Sequence, residues 1–439
     1  MNVDCNDLWQ RFVQVRSISE KLAEPLEIED YCLQAIPETS PIKWHLAHTT
    51  WFYETFILKP FLADYTPYHP RFEYLFNSYY NGVGMQFPRP QRGVLSRPTV
   101  AEVARYRASV NKSLEKLMAS LSEHPDAMAI SQRLVLGLNH EQQHQELMLT
   151  DLKYNLSLNP LYPVYNPAPL AHAQPVPGAR YIDIQGGYIP TGVDASANAF
   201  CFDNETPRHE RLIQPFSVAD RLVTQGEYLE FIQDGGYQNP LLWLADGWAE
   251  VQQQKWCAPL YWVPDAETTG AGSSFSVFTL HGLQDFDPNL PVVHISYYEA
   301  DAFARWAGAR LLREDEWEML ATAQCPTIAQ CPTTAQTIKG NFFDPQRNHP
   351  VGLSESLSQN TVQQLYGDTW EWTQSPYQSY PGYRAAEGAI GEYNGKFMCN
   401  QLVLRGGSIA TPQGHIRATY RNFFYPADRW QFSGLRLAR

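Results

Sequence analysis

The sequence predicts an α+β chain of two domains, a four-helix bundle followed by a domain of short strands and loops, and three observations support this. Residues 1–160 hold long amphipathic stretches with helical spacing. Residues 161–180 carry Pro163, Pro167, Pro169, Pro175 and Pro177 without periodicity and read as a linker. From 181 to 439 the composition turns to Gly, Trp, Tyr and short β-like runs. A chain of 439 residues is long enough for two cores.

Taken in order, the first helical stretch runs from Leu8 to Ile36 with a break at Pro25. The second runs from Pro41 to Leu58, with Ser40 as its cap and Pro41 at its first position, where a missing amide hydrogen costs nothing. A long insert without helical pattern, Ala63 to Arg97, separates it from the third, and its Tyr, Phe and Arg content speaks against disorder. The third, Thr99 to Leu121, opens on a capping box, Thr99 with Glu102, directly after Pro98. The fourth runs from Ala127 to Leu156. In the second domain, Tyr181–Ile184 and Leu402–Leu404 read as strands, and Tyr297–Ala307 and Glu314–Ala321 as helices.

Charge and cysteine usage narrow the partners. With 33 basic and 46 acidic residues the net charge is -13, which argues against nucleic acid or an anionic membrane and favours small molecules. Seven scattered cysteines (Cys5, Cys32, Cys201, Cys257, Cys325, Cys331, Cys399) form no C-x-x-C pair and suggest neither a disulfide scaffold nor a cysteine zinc site. The first residues lack a basic region followed by an apolar run, and no apolar stretch reaches roughly 18 residues, so the expected location is cytoplasmic.

The stretch Leu138 to Asp151, LNHEQQHQELMLTD, carries the chemistry. His140 and His144 lie four apart in a run of good helix formers, so they share a face and can close on one metal ion. In PIKWHLAHTTWFYETFIL, His45 and His48 lie three apart, and one of them facing inward supplies a third nitrogen from a second helix. Three neutral imidazoles suit zinc, iron, nickel or copper, so the ligand set alone does not name the metal.

Resemblance adds to this. The motifs IQGGYIPTG (184–192), PFSVADRLVTQGEYLEFI (215–232), PVVHISYYEADAFARWAGARLLREDEWEMLA (291–321), GDTWEWT (367–373), LRGGS (404–408) and FSGLRLA (432–438) resemble the formylglycine-generating-enzyme or sulfatase-modifying-factor domain, a C-type-lectin-like fold. The cysteines that perform the oxidation in those enzymes are missing, because Ile409 to Pro426 contains none. The first half resembles the DinB-like four-helix bundle. Both domains in this order, with WHLAH and HEQQHQE, resemble the sulfoxide synthases of ergothioneine biosynthesis, iron(II)- and dioxygen-dependent oxidoreductases that join a thiol to the imidazole of hercynine.

That resemblance implies Fe(II) on His48, His140 and His144, with His45 in a supporting or packing role. It implies Gln143 on the imidazole and Asn422 near the substrate. It further implies catalytic tyrosines Tyr79 and Tyr80, Arg89 and Arg92 on the carboxylate of the thiol substrate, and Phe423–Phe424 marking the branch that takes cysteine rather than γ-glutamylcysteine. A trimethylammonium group favours aromatic faces, for which Phe423, Phe424, Tyr420 and Trp430 are candidates. Three rivals stand beside this reading. HEQQH satisfies the H-E-x-x-H pattern of a zinc metallopeptidase with Glu141 as general base. A lectin-like binding module leaves the insert unexplained. An ovothiol-type synthase, forming 5-histidylcysteine sulfoxide, usually carries a further methyltransferase domain that this sequence lacks.

Overall fold

Twelve consecutive residues of one helix, α2 (Ile42–Tyr53), are all buried, and the bundle is assembled around it. The computed structural model describes residues 5–194, 200–264, 275–324, 338–353 and 361–439. Its contacts form two units, Met1–Leu158 with Ala386–Tyr393, and Asn159–Ala385 with Asn394–Arg439. In the first unit, α1 (Cys5–Ala23) packs on the long helix α6 (Ala127–Ser157), while α2 packs on both α5 (Val100–Ala119) and α6. Leu8, Phe12 and Leu22 of α1, Val103, Val110 and Leu114 of α5, and Ile130, Leu134 and Leu138 of α6 supply the apolar stripes that meet there. Close approach of α2 to α6 requires Gly137, since a Cβ at that position would lie 2.5 Å from the Tyr53 ring.

Several boundaries differ from the sequence reading. The first helix ends at Ala23, and beyond Pro25 only a 3-10 turn forms, Asp30–Cys32. The chain there finds another partner: Asn155 of α6 accepts from the Ala35 amide and donates to the Leu33 carbonyl. Pro41 is itself the cap of α2, with extended backbone, and Ser40 makes no cap bond to it. Past Tyr53 the helix widens into a π-turn, Glu54–Leu58, before the short α3 (Lys59–Phe61). Pro60 has no amide hydrogen for the Phe56 carbonyl, and Arg133 donates to that oxygen instead, at 3.0 Å. The insert is partly helical, with α4 (Phe72–Phe76) and a 3-10 turn, Arg89–Val94. The Thr99–Glu102 capping box is present.

The second unit holds a four-stranded sheet in the order β1-β4-β13-β8, built from β1 (Tyr181–Ile184), β4 (Phe216–Ala219), β8 (Arg310–Leu311) and β13 (Leu437–Ala438). A second has the order β11-β10-β9-β12, from β9 (Trp370–Pro376), β10 (Leu402–Arg405), β11 (Asn422–Phe424) and β12 (Ser433–Gly434). A hairpin of β2 (Gly187–Thr191) and β3 (His209–Ile213) and a three-stranded meander, β5 (Trp262–Pro264), β6 (Phe275–Thr279) and β7 (Gly282–Asp285), complete the strands among the described residues. The helices α9 (Tyr297–Trp306) and α10 (Glu314–Gln324) stand near their expected positions, and two more precede them, α7 (Gln225–Gln233) and α8 (Ala245–Gln254).

The sequence motifs of this unit form buried ion pairs. Arg405 of LRGGS reaches Glu314 and Glu318, and Arg436 of FSGLRLA meets Glu371 of GDTWEWT. Gly406 and Gly407 follow at φ 99° and 82°, a turn that a side chain would strain. The Pro-rich segment is not a free tether: the Tyr165 and Asn166 amides bond the Leu280 carbonyl, and the Ala173 amide bonds Asp287. Cys32, Cys201, Cys257 and Cys399 are free thiols, while Cys325 and Cys331 lie outside the described residues.

Candidate metal centre

Helical spacing brings the three histidines together. His140 and His144 project from one face of α6, His48 comes from the buried helix α2, and all three are buried, each with a ligating nitrogen within 4.8 Å of the others. His48 lies between Trp44 and Trp51 of its own helix, with ring centroids 4.6 and 5.4 Å away, and Phe52 stacks on His140 at 4.4 Å. Those rings fix the imidazole planes and keep water off them. Burial, followed by the neighbouring imidazoles, holds His48 and His144 well below the usual histidine range. Burial also brings His140 down to about 3. All three are therefore neutral near pH 7, the form that binds a metal.

Hydrogen-bond polarity points the same way. His48 Nδ1 donates to the Phe76 carbonyl at 2.6 Å, so its lone pair is on Nε2, and that atom lies 3.2 Å from His140 Nε2. His144 Nδ1 meets His45 Nδ1 at 2.8 Å, leaving its Nε2 for a ligand. His140 Nδ1 has no hydrogen-bond partner among the described residues. The donor set fits a divalent transition metal held by three nitrogens with positions left open.

Glu141 faces the other way. Its carboxylate accepts from Arg16 and Arg107, each at 3.1 Å, and from the Ser19 hydroxyl at 2.7 Å. Burial opposes its ionisation, but the two guanidinium groups overcome this and hold it near 2. A carboxylate so committed cannot serve as the general base of a metallopeptidase, so the H-E-x-x-H rival fails on geometry.

The other expected residues are distributed unevenly. Gln143 accepts a short hydrogen bond, 2.5 Å, from the Tyr393 hydroxyl, and the Tyr393 ring lies 5.8 Å from that of His140. The sequence reading missed Tyr393, which stands about 250 positions from Gln143. Tyr79 and Tyr80 stack at 4.5 Å with their hydroxyls 3.4 Å apart. Tyr80 is fully buried beside Trp51 and Phe52, the same rings that contact His48 and His140. Burial first, then the neighbouring phenols, raise its ionisation far above the usual tyrosine value.

Arg92 and Arg89 are not equivalent. Arg92 is buried, with its guanidinium 3.4 Å from the Trp44 ring centroid, bonds to the Ser40 and Ser78 hydroxyls, and no partner for Nε among the described residues. Arg89 is exposed and donates to the Glu38 carbonyl. Asn422, Phe423 and Phe424 form β11 in the second unit, where Phe423 stacks on Tyr377 at 4.0 Å and Phe424 meets Trp430 edge-on at 5.9 Å. Tyr420 does not belong to an open aromatic wall: it is buried, tilted against Trp370, with Arg417 over its ring.

Known proteins share this plan. Residues 167–439 match the Sulfatase-modifying factor enzyme 1-like domain, and residues 11–148 match the DinB superfamily. "Hercynine oxygenase" from Mycolicibacterium smegmatis is 32% identical, over 95% of this chain and 96% of its own length. The Mycobacterium tuberculosis protein of the same name is 31% identical, covering 93% of each. "Ergothioneine biosynthesis protein 1" from Schizosaccharomyces pombe is 27% identical, over 55% of this chain and 28% of its own length.

Proposed function

The chain belongs to the hercynine oxygenase family, a family of oxidoreductases, and on that premise we propose that it is a sulfoxide synthase of ergothioneine biosynthesis acting on cysteine and hercynine. The observation that carries this reading is the buried cluster of His48, His140 and His144, with the lone pairs of His48 and His144 on Nε2 and Glu141 turned away. The reaction balances as one thiol, one imidazole C–H and one dioxygen giving an aryl sulfoxide and one water. Iron(II), held by the three histidines, would bind the thiolate and pass electrons from the two organic substrates to dioxygen.

The remaining work falls to side chains of the protein. Arg92 holds its charge in a desolvated place with one N–H unpaired, which suits the carboxylate of cysteine. Arg89, exposed and tied to the backbone, contributes charge at longer range. Gln143 and Tyr393 form a polar pair beside His140 that can orient an imidazole. Tyr80 stays a neutral phenol at any physiological pH and holds a proton with Tyr79 as its hydrogen-bond partner. Asn422, Phe423 and Phe424 remain in the reading on the family pattern alone.

Aerobic incubation of the iron(II)-loaded protein with hercynine and either cysteine or γ-glutamylcysteine, followed by mass spectrometry, tests it. Hercynylcysteine sulfoxide is the expected product, with cysteine the preferred donor. Absence of any sulfur adduct on hercynine, with iron bound, would refute the proposal.

A further inference from the structure

His45 and Asp151 lie outside the ligand set and yet are built into it. Asp151 stands seven residues after His144, two turns along the same face of α6, and His45 stands one turn before His48 on α2. Asp151 is 3% exposed and its Oδ2 accepts from the Ser40 amide at 2.8 Å and from His45 Nε2 at 3.1 Å. The Ser40 bond fixes the carboxylate rotamer, and Ser40 is held in turn by Arg92 Nη1 on its hydroxyl at 2.9 Å.

The polarity of this chain follows from what each group can do. A carboxylate only accepts, so the hydrogen of a neutral His45 must sit on Nε2. Its Nδ1 is then an acceptor, and the 2.8 Å gap to His144 Nδ1 closes as a hydrogen bond only if His144 carries its hydrogen there. That leaves the His144 lone pair on Nε2, facing His48 and His140. We propose that Asp151 and His45 are positioning residues that fix the metal-binding tautomer of His144 through a two-step relay, Asp151 to His45 to His144. Many metal-bound histidines hand the second N–H directly to a carboxylate. Here an imidazole is interposed, because Asp151 stands two turns along α6 from His144 and His45 of α2 reaches both. The inference rests on the three-histidine site proposed above.

The test is cobalt(II) affinity of the metal-free full-length protein, measured by competition with a chromophoric chelator, alongside the melting temperature without metal. His45→Phe keeps an aromatic ring but removes the acceptor, and should weaken cobalt(II) binding about 10- to 100-fold. His45→Gln returns a side-chain carbonyl to accept from His144 and should recover most of that loss. Asp151→Asn keeps the shape, loses the charge, and should weaken binding about tenfold. Wild-type affinity in folded His45→Phe and Asp151→Asn would overturn the relay. So would a His45→Phe that binds no more cobalt than His140→Ala, since His45 would then be a ligand. If His45→Phe does not fold, Asp151→Asn decides alone. His48→Ala separates the two claims: full binding there would refute the three-histidine site itself, whatever the relay variants do.

Discussion

Arg92 and Arg89 sit three residues apart in one turn, yet one is buried over Trp44 and the other is exposed on a backbone carbonyl. Replacing Arg92 should therefore act on the cysteine substrate far more than replacing Arg89. Arg92→Lys keeps the charge and loses the fork, and should raise the KM for cysteine roughly tenfold or more, consistent with losing one charge-assisted hydrogen bond, while the KM for hercynine moves little. Steady-state kinetics with each substrate varied in turn checks this, and equal losses for both would mean that Arg92 only holds the insert. Tyr79 and Tyr80 call for a different substitution. Changing both to Phe preserves the stacked rings and removes only the hydroxyls, so iron content and folding should survive. Sulfoxide formation should then fall steeply while oxidation of cysteine to its sulfinic acid persists or rises, read by product analysis. Near-normal sulfoxide yield would make the pair packing residues. His140 and His144 were legible in the sequence because helical periodicity alone aims i and i+4 at one point, while the choice of His48 over His45 came from the family resemblance. What excludes the peptidase reading, the hold of Arg16 and Arg107 on Glu141, was not legible, because both arginines stand on other helices. The difference between Arg89 and Arg92 was not legible, because it depends on Trp44 and Glu38, which are remote in sequence.

Elements with a local hydrogen-bonding signature emerged as expected, and elements whose backbone is satisfied from elsewhere did not. Thr99 and Glu102 mark the start of α5 by themselves, whereas Thr224 with Glu227, which marks α7 in the same way, went unread in the sequence. By contrast, residues 24–36 have helical spacing but give their polar groups to Asn155, and the π-turn after Tyr53 depends on Arg133. The turn leading into β9 carries a pH-dependent group of this second kind. Asp368, at φ 56°, accepts from Asn341 and from the Val351 amide, and burial still pushes its carboxyl up to about 6. Between the usual aspartate value and about 6, the folded protein keeps a proton that the unfolded chain has lost. Stability is thus highest below that window and declines as pH rises through it, by an amount on the order of 3 kcal/mol. Asp368→Asn tolerates the left-handed backbone and removes the titration. Its stability between pH 4 and 6.5, relative to wild type, should rise with pH in denaturant melts, and parallel curves would show that Asp368 does not titrate there.

At the scale of the whole molecule, the first unit is not a contiguous stretch of sequence. Ala386–Tyr393 follows more than two hundred residues of the second unit and belongs with the bundle by its contacts. No periodicity or composition marks it, since it is a short 3-10 turn, Ala389–Glu392, whose role depends on residues far earlier in the chain. It delivers two side chains. Tyr393 bonds Gln143 between the two histidines of α6, and Glu392 accepts from the backbone amides of Asn81 and Gly82, at 3.0 and 2.6 Å. Those amides form the turn directly after Tyr79 and Tyr80, so Glu392 fastens the loop that carries the tyrosine pair. A Cβ at Gly82 would meet Glu392 Oε1 at 3.1 Å, so a side chain there would push on the carboxylate. Glu392→Ala removes both acceptors at a partly exposed position and leaves the histidine cluster untouched. Metal affinity should stay within about twofold of wild type, as expected for a change that reaches no ligand or its hydrogen-bond partner. Amide exchange in a peptide spanning Asn81 and Gly82 should accelerate, and sulfoxide yield should fall relative to sulfinic acid, because the phenols lose their fixed placement. Hydrogen exchange by mass spectrometry and product ratios from the same sample give both readouts. Unchanged exchange in that peptide would show that the turn stands without its carboxylate and that the late segment contributes Tyr393 alone.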